Sequence, residues 1–95
     1  DNDILVKMRE IDCVKVMPHI CDYMKKDPQF TPIKDGNTSR WCIRAGSKDY
    51  ELLFTGSKWF DTRAHKGGGG AIDLVMHLFS LDFVGAVKFL KKVIK

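Results

Sequence analysis

Cysteine and proline are scarce in this sequence, and long apolar runs are missing. There are three cysteines and three prolines in 95 residues, and no two cysteines form a Cys-x-x-Cys pair. A structural zinc site needs four donors, so cysteines alone cannot build one here. Their odd number favours reduced thiols, as in a cytoplasmic protein. No apolar stretch approaches the roughly 20 residues that span a bilayer, and we expect no membrane partner.

Paired catalytic side chains are also missing. His19, His65 and His77 have no nucleophile or carboxylate at a motif spacing. Asp73 and His77 are four residues apart, which we interpret as an ordinary pair on a helix surface. Acidic residues able to hold Mg²⁺ for phosphoryl chemistry stand singly. We therefore predict that this chain is not an enzyme by itself.

Basic charge gathers in two parts of the chain. The net charge is +4, with −1 over residues 1–39, +3 over residues 40–66 and +3 over residues 82–95. This distribution favours an anionic polymer as the partner. The alternative is that these charges belong to ordinary solvated faces.

Length and composition predict one α+β domain over residues 1–95, which we expect to be a fragment of a longer protein. The period of apolar residues predicts a helix over 12–25, with Asp12 as N-cap, a complication at Pro18 and an end at Asp27-Pro28. From Phe30 to Thr62 the runs FTPIK, RWCIR, DYELLF and SKWFD predict strands separated by turns.

Two helices are predicted to close the chain, over 71–79 and 82–94. The first has an apolar stripe of Ile72, Val75, Met76 and Phe79, with Asp73 and His77 opposite. The second has Asp82 as N-cap. Its predicted buried stripe is Phe83, Val87, Leu90 and Ile94, and its predicted exposed lysines are Lys88, Lys91, Lys92 and Lys95. The predicted fold is a small antiparallel sheet of three to five strands with an N-terminal helix and a C-terminal helical pair.

The run Gly67–Gly70 has several interpretations. No Lys-Ser/Thr pair follows it, as a P-loop requires, and no βαβ unit surrounds it, as a dinucleotide fingerprint requires. A sharp turn from strand to helix accounts for the glycines structurally. Alternatively, the N–H groups at the helix start, beside Arg63, His65 and Lys66, suit one phosphate of a nucleic-acid backbone.

The segment WFDTRAHKGGGGAIDLVMHLFSLDFVGAVKFL resembles the second half of the zinc-binding domain of bacterial DNA primases, the CHC2 zinc-finger family. Trp59-Phe60 takes the place of the family's aromatic pair, and Gly69–Asp73 that of its Gly-Asn-Ala-Ile-Asp motif. Leu81–Phe83 corresponds to the Leu-Ser-Phe helix entry, and Gly85–Leu90 to the Glu-Ala-Val helix. The resemblance runs over about 32 residues and implies a zinc-ribbon-like primase domain.

The zinc ligands of that family are largely absent. Its pattern of Cys-x2-His followed by Cys-x2-Cys projects onto Cys42 and Ala45 (or Arg44), then Thr62 and His65. Cys42 and His65 are the only donors left among these, and two donors do not close a zinc site. We interpret Cys42, Thr62 and His65 as vestigial ligand positions and expect no zinc or other cofactor. Burial of aromatic and aliphatic side chains is expected to replace the metal.

In the resembled family this domain grips single-stranded template DNA on its sheet. Similar modules with decayed zinc ligands occur in primase-like proteins of phages, plasmids and other mobile genetic elements. The resemblance implies a DNA-binding module of a primase-like DNA replication protein, with any catalytic primase domain outside this chain. A helicase or another replication protein is a further possible partner.

Basic side chains interleaved with aromatic ones on a sheet are the components of single-strand binding. The candidate nucleic-acid-binding residues are Arg40, Arg44, Lys48, Lys58, Trp59, Arg63, His65, Lys66, Gly69 and Gly70. Because neighbours in a strand face opposite sides, either Trp59 or Phe60 is expected to be exposed, and the exposed one is the better stacking platform. The alternatives are a protein-interaction or structural module that has lost DNA binding, and a small phosphate or nucleotide binder.

Overall fold

The computed structural model describes residues 2–94. Four helices and five strands follow one another along the chain, with a 3₁₀ turn over Met17–His19 after the second helix. They are α1 (Asn2–Glu10), α2 (Cys13–Val16), β1 (Tyr23–Lys26), β2 (Thr38–Ala45), β3 (Lys48–Thr55), β4 (Lys58–Asp61), β5 (Lys66–Gly69), α3 (Ala71–Phe79) and α4 (Phe83–Val93). The predicted α+β class is confirmed.

The five strands form one antiparallel sheet in the order β1-β2-β3-β4-β5. Two tight turns connect its centre, as the turn residues of the sequence predict. Gly46 and Ser47 have φ values of 56° and 67° between β2 and β3, and Gly56 has φ 59° between β3 and β4. Left-handed residues at these positions match the twist of the flanking strands, which fixes the hairpin register.

The core lies between one face of the sheet and the helices. Strand residues on this covered face alternate with exposed ones, and Ile43, Leu52 and Phe54 are nearly inaccessible to solvent. Helix α3 contributes five core residues, including Leu74 and Val75, and β4 contributes Trp59. Other core residues come from β2, from the N-terminal segment and from α4. Within residues 2–94, each helix is too short or too polar to cross a membrane.

The N-terminal part differs from the sequence prediction. Asp12 is the N-cap of α2, where its Oδ1 accepts the N–H of Val14 at 2.9 Å. The helical segment ends at His19 and not at residue 25, because Pro18 has no N–H to donate and tightens the chain into a 3₁₀ turn. The chain then forms β1 on the edge of β2.

The run FTPIK is a loop and not a strand. β1 occupies the edge of β2 that such a strand would need. Pro28 and Pro32 also remove two backbone donors from this segment. Residues 27–37 therefore form a long connection held by turns at Asp27 and Asp35, each of which accepts a backbone N–H two residues on.

The two C-terminal helices agree with the prediction in extent. Asp82 caps α4 by accepting the N–H of Gly85 at 2.7 Å. The buried stripe of α4 includes Leu90 as predicted, but Ala86 is also buried and Phe83 is 41% exposed. Lys88, Lys91 and Lys92 are exposed as predicted, and Lys95 lies outside the described residues.

Candidate nucleic-acid interface

The side of the sheet opposite the helices is the open face. Residues that lie opposite each other in neighbouring strands have their side chains on the same face of the sheet. On the open face such pairs include Lys25–Cys42, Arg40–Leu53 and Leu53–Phe60. The open face displays Tyr23, Lys25, Thr38, Arg40, Cys42, Arg44, Asp49, Glu51, Leu53, Thr55, Lys58 and Phe60. Basic, aromatic and hydroxyl side chains therefore share a solvent-facing surface with two acidic residues, Asp49 and Glu51.

The cations of the open face differ in their partners. Arg40 forms an ion pair with Asp27, and Arg44 forms one with Asp49 at 2.9 Å. Such exposed pairs contribute little stability, so an incoming phosphate can compete for Arg44. Lys25 and Lys58 have no carboxylate within ion-pair distance among residues 2–94. Glu51 on the same face likewise has no ion-pair partner among these residues and accepts a hydrogen bond from Thr62.

The predicted basic residues do not all lie together. Arg40, Arg44 and Lys58 share the open face, whereas Lys48 is on the helix side at the start of β3, opposite Ala45. Arg63 and His65 lie in the turn between β4 and β5, and Lys66 begins β5. The guanidinium of Arg63 donates to the carbonyl oxygen of Asp49 at 3.4 Å. This contact brings Arg63 next to Arg44 at one end of the open face.

Trp59 cannot act as a stacking platform in this structure. Its side chain is on the covered face and is 4% exposed, with its indole stacked on the His77 ring at a centroid distance of 5.0 Å. The neighbouring Phe60 faces the other way and is 37% exposed. Phe60 is therefore the ring that a nucleobase can reach.

The glycine run is mainly a strand and not a phosphate loop. A Cβ on Gly68 would lie 2.8 Å from Cζ2 of Trp59, and one on Gly67 would lie 3.0 Å from Cδ1 of Phe60. The glycines thus let β5 lie directly against the aromatic side chains of β4. Gly69 has no atom within 4 Å of such a Cβ, and its partner Lys58 is on the open face.

Gly70 is the N-cap of α3 and has φ 129°, a backbone conformation that residues with a side chain rarely adopt. It is buried, and a Cβ there would lie 3.2 Å from the Cα of Arg9. Helix α1 therefore covers Gly70. This arrangement does not support the predicted phosphate contact at Gly70.

The vestigial ligand positions are partly adjacent. Cys42 is exposed on the open face and faces Glu51 in the neighbouring strand. Thr62 donates through Oγ1 to Oε1 of Glu51 at 3.0 Å, and His65 has φ 53° in the following turn. No cluster of three or more His, Cys, Asp or Glu side chains suited to a metal occurs in the described part of the chain.

A groove that the sequence did not predict lies between the 27–37 loop and the open face. Its volume is about 590 Å³. Its apolar lining includes Phe30, Pro32, Ile33, Leu53 and Phe60, and its polar lining is Lys34, Asp35, Thr38, Thr55 and Lys58. The sequence analysis did not predict the groove because it interpreted FTPIK as a strand. The two prolines of this segment are the sequence signal that favours a loop there.

One wall of the groove is fixed by Arg40. Its Nε donates to Oδ2 of Asp27 at 2.9 Å, and its guanidinium carbon lies 5.1 Å from the centre of the Phe30 ring. The hydrogen bond from Arg40 is the main cause that lowers the pKa of Asp27 below its usual value. Arg40 was predicted to bind phosphate, but here it holds Asp27 and Phe30 in place.

A buried polar cluster beneath the sheet was also missed. His77 was predicted to pair with Asp73, but its Nε2 lies 2.7 Å from Oδ2 of Asp61. Oδ1 of Asp61 accepts the N–H groups of Arg63 at 3.0 Å and Ala64 at 3.1 Å. Burial by itself raises the pKa of Asp61, but the hydrogen bonds from His77, Ala64 and Arg63 outweigh it and leave the pKa lowered. The cluster connects α3 to the turn that carries Arg63 and His65.

Comparisons with known proteins add little to this description. No protein-family model matches the chain, and no solved structure matches it. The chain is 44% identical over 41 residues to a "65 kDa protein" of Zymomonas mobilis subsp. mobilis. That match covers 43% of this chain and 7% of the relative's length. The name of that protein states a mass and no activity, so it supports no functional argument.

Proposed function

We propose that this domain is a nucleic-acid-binding module of a primase-like DNA replication protein of the cytoplasm. It grips single-stranded DNA on the open face of the sheet, and any catalysis belongs to a part outside this chain. The observation that carries the proposal is the composition of the open face. On the open face, Lys58 lies two residues from the exposed ring of Phe60 in β4, and Lys25 lies across the sheet on β1. Neither lysine has an ion-pair partner among residues 2–94.

The chemistry of this face suits a single strand. Lysines and arginines neutralise phosphates, and each base that stacks on an aromatic ring contributes about 1–3 kcal/mol. Arg44 and Arg63 lie near Asp49 at one end of the open face, and Lys58 lies at the other end. A strand that crosses the sheet therefore meets positive charge at both ends and an aromatic ring between them.

Titration of a fluorescein-labelled single-stranded oligonucleotide at several salt concentrations tests the proposal. We expect the affinity to fall steeply with salt, because binding releases counterions from the phosphates. The double variant Lys25→Gln/Lys58→Gln removes two phosphate contacts. It should reduce the magnitude of the slope of log K against log salt by about 1.4.

The matched control is Lys91→Gln/Lys92→Gln on α4, which makes the same change in net charge on the far side of the molecule. This variant should keep the slope of the parent chain. Equal losses in both double variants would show that net charge alone governs binding, and no binding at low salt would reject the proposal.

A second candidate function is docking of an acidic protein, such as a helicase or another replication protein. Val84 is 58% exposed, and Lys88 and Lys91 follow it at helical spacing on α4. An apolar residue beside lysines on one exposed helix face is suited to an acidic amphipathic partner. Under this function, Lys91→Gln/Lys92→Gln should weaken capture of such a partner, and the open-face variant should not.

A further inference from the structure

We propose that the groove between the 27–37 loop and the open face takes one unpaired nucleobase. The attached phosphates would lie against Lys34 and Lys58. This inference rests on the proposed single-strand function and assigns it a binding position. It also supplies a reason for selectivity towards single strands, since a base that is paired and stacked in a duplex cannot enter a groove.

The floor and walls of the groove are apolar and accessible. Leu53 and Phe60 are partners in β3 and β4 and form the floor, while Phe30 and Ile33 belong to the loop above it. Ile33 is 97% exposed and Phe60 is 37% exposed. A concave site of this volume, lined mainly by apolar side chains with a few polar groups, has the usual form of a small-ligand site. A planar base is able to cover these side chains.

The charge at the rim of the groove selects an anionic ligand. Neither Lys34 nor Lys58 has a carboxylate partner within ion-pair distance in the described chain. The acidic residue of the lining is Asp35, whose Oδ1 already accepts the N–H of Asn37 at 2.9 Å. The rim therefore has two ammonium groups and one carboxylate, a net charge of +1, which favours a ligand that joins an apolar ring to a phosphate.

A pair of hydroxyls lies at the wall and can meet the polar edge of a base. Oγ1 of Thr38 and Oγ1 of Thr55 are 2.7 Å apart. One hydroxyl donates to the other, so one hydroxyl proton and several lone pairs remain for a ligand. The hydroxyl proton can be donated to a carbonyl group on the edge of a pyrimidine, and the lone pairs can accept its N–H group.

An extended peptide fits the groove less well. Peptides that join a sheet do so at an edge with unpaired backbone groups. The floor lies in the middle of the sheet, where Leu53 and Phe60 are in strands that already pair with each other. A peptide there would have side-chain contacts only, and the two rim lysines would have no phosphate to bind.

The test uses the isotope-labelled chain and two small probes followed by NMR. Thymidine monophosphate should shift the resonances of Ile33 and Phe60 and give NOEs between its methyl group and the Phe60 ring. Deoxyribose 5-phosphate lacks the base and should leave those resonances in place. An apolar peptide serves as the competing probe, and shifts in the groove from the peptide but not from the nucleotide would overturn the proposal.

Substitutions of groove residues test whether the groove contributes to the binding of single-stranded DNA. Phe60→Ala should weaken oligonucleotide binding at least fivefold without changing the salt slope, because the lost contact is not ionic. Phe83→Ala is the matched control, since Phe83 is similarly exposed at 41% but lies on α4. Ile33→Ser should also weaken binding, and its side chain is too exposed for the change to affect folding.

The outcomes separate the two proposals. Ile33 lines the groove but is not part of the sheet, so oligonucleotide binding that is unaffected by Ile33→Ser would overturn the groove proposal and leave the open-face function in place. Binding that is also unaffected by Phe60→Ala would remove base stacking from the open-face function and leave only its phosphate contacts. Nucleotide binding in the groove without oligonucleotide binding would support the groove and reject the single-strand function.

Discussion

Asp61 is a charged side chain within the core, 3% exposed, and each of its carboxylate oxygens is occupied. Burial of a carboxylate is unfavourable unless hydrogen bonds compensate it. Three donors, from His77, Arg63 and Ala64, provide that compensation. At the scale of the residue, the hydrogen bonds of Asp61 hold the β4–β5 turn in its conformation and orient the ring of His77 against Trp59.

We predict that Asp61→Ala lowers the free energy of unfolding by about 2–4 kcal/mol. The substitution leaves two backbone N–H groups and the partly buried His77 ring without their acceptor. Urea denaturation followed by far-UV circular dichroism measures the change. Asp73→Ala on the exposed side of α3 is the control and should cost far less, and an equal loss in both variants would contradict the role of the cluster.

The same carboxyl makes stability depend on acid pH. The pKa of Asp61 is lower in the folded state than in the unfolded chain, so its stabilisation is complete above about pH 4 and is lost as the pH falls through the folded-state value. Urea denaturation of the parent chain at successive pH values below 5 should show this loss. In Asp61→Ala the free energy of unfolding should decline less steeply with falling pH than in the parent chain. Parallel declines in the two proteins would contradict the assignment of the acid dependence to Asp61.

At the scale of the element, the glycines of β5 allow this strand to pack closely against the aromatic side chains of β4. The alternation of β4 places Trp59 and Phe60 on opposite faces, and Gly67 and Gly68 each face one of these rings. Glycine is normally unfavourable within a strand because it adds flexibility and has no side chain to pack. Here the absence of a Cβ permits close contact with an aromatic ring, which contributes apolar burial instead.

We predict that Gly68→Ala destabilises the domain by about 1–3 kcal/mol, because its Cβ would lie 2.8 Å from the Trp59 ring. Gly69→Ala is the matched control, since a Cβ there meets no atom within 4 Å. Its free energy of unfolding should change by less than about 0.5 kcal/mol. Urea denaturation compares the two variants, and equal stability of both would mean that β5 does not lie as close to Trp59 as described.

At the scale of the whole molecule, side chains from the N-terminal segment, from strands β2 to β4 and from helices α3 and α4 meet in one core. The core joins the sheet residues Ile43, Leu52 and Phe54 to Met17 from the N-terminal segment and Leu90 from α4. Full burial of one large apolar side chain contributes about 1.5–3 kcal/mol. This is the contribution that we expect to replace the zinc of the resembled primase family.

We predict that stability does not depend on a metal ion. Urea denaturation of the purified domain should give the same midpoint with EDTA, with added zinc and with neither. A structural zinc ion can supply about 10 kcal/mol or more of folding free energy, so its removal would be evident. A lower midpoint in EDTA would show that a metal is bound, and elemental analysis would then identify it.

The sequence by itself determined the α+β class, the turns between β2, β3 and β4, the N-caps Asp12 and Asp82, and the extent of α3. These features depend on local preferences: the period of apolar residues, the left-handed conformations of glycine and the capping geometry of aspartate. The turns, the caps and the extent of α3 are each decided locally, and the class follows from the order of these local elements, so no knowledge of distant contacts is needed.

Only the tertiary structure decided which strand pairs with β2, where the groove lies and which of Trp59 and Phe60 is exposed. The sequence predicted a helix as far as residue 25 and a strand at FTPIK, whereas pairing with the distant β2 makes Tyr23–Lys26 the edge strand. The Asp61–His77 contact likewise spans 16 residues. Such choices depend on the free energy of non-local packing, which periodicity and propensity within one segment do not contain.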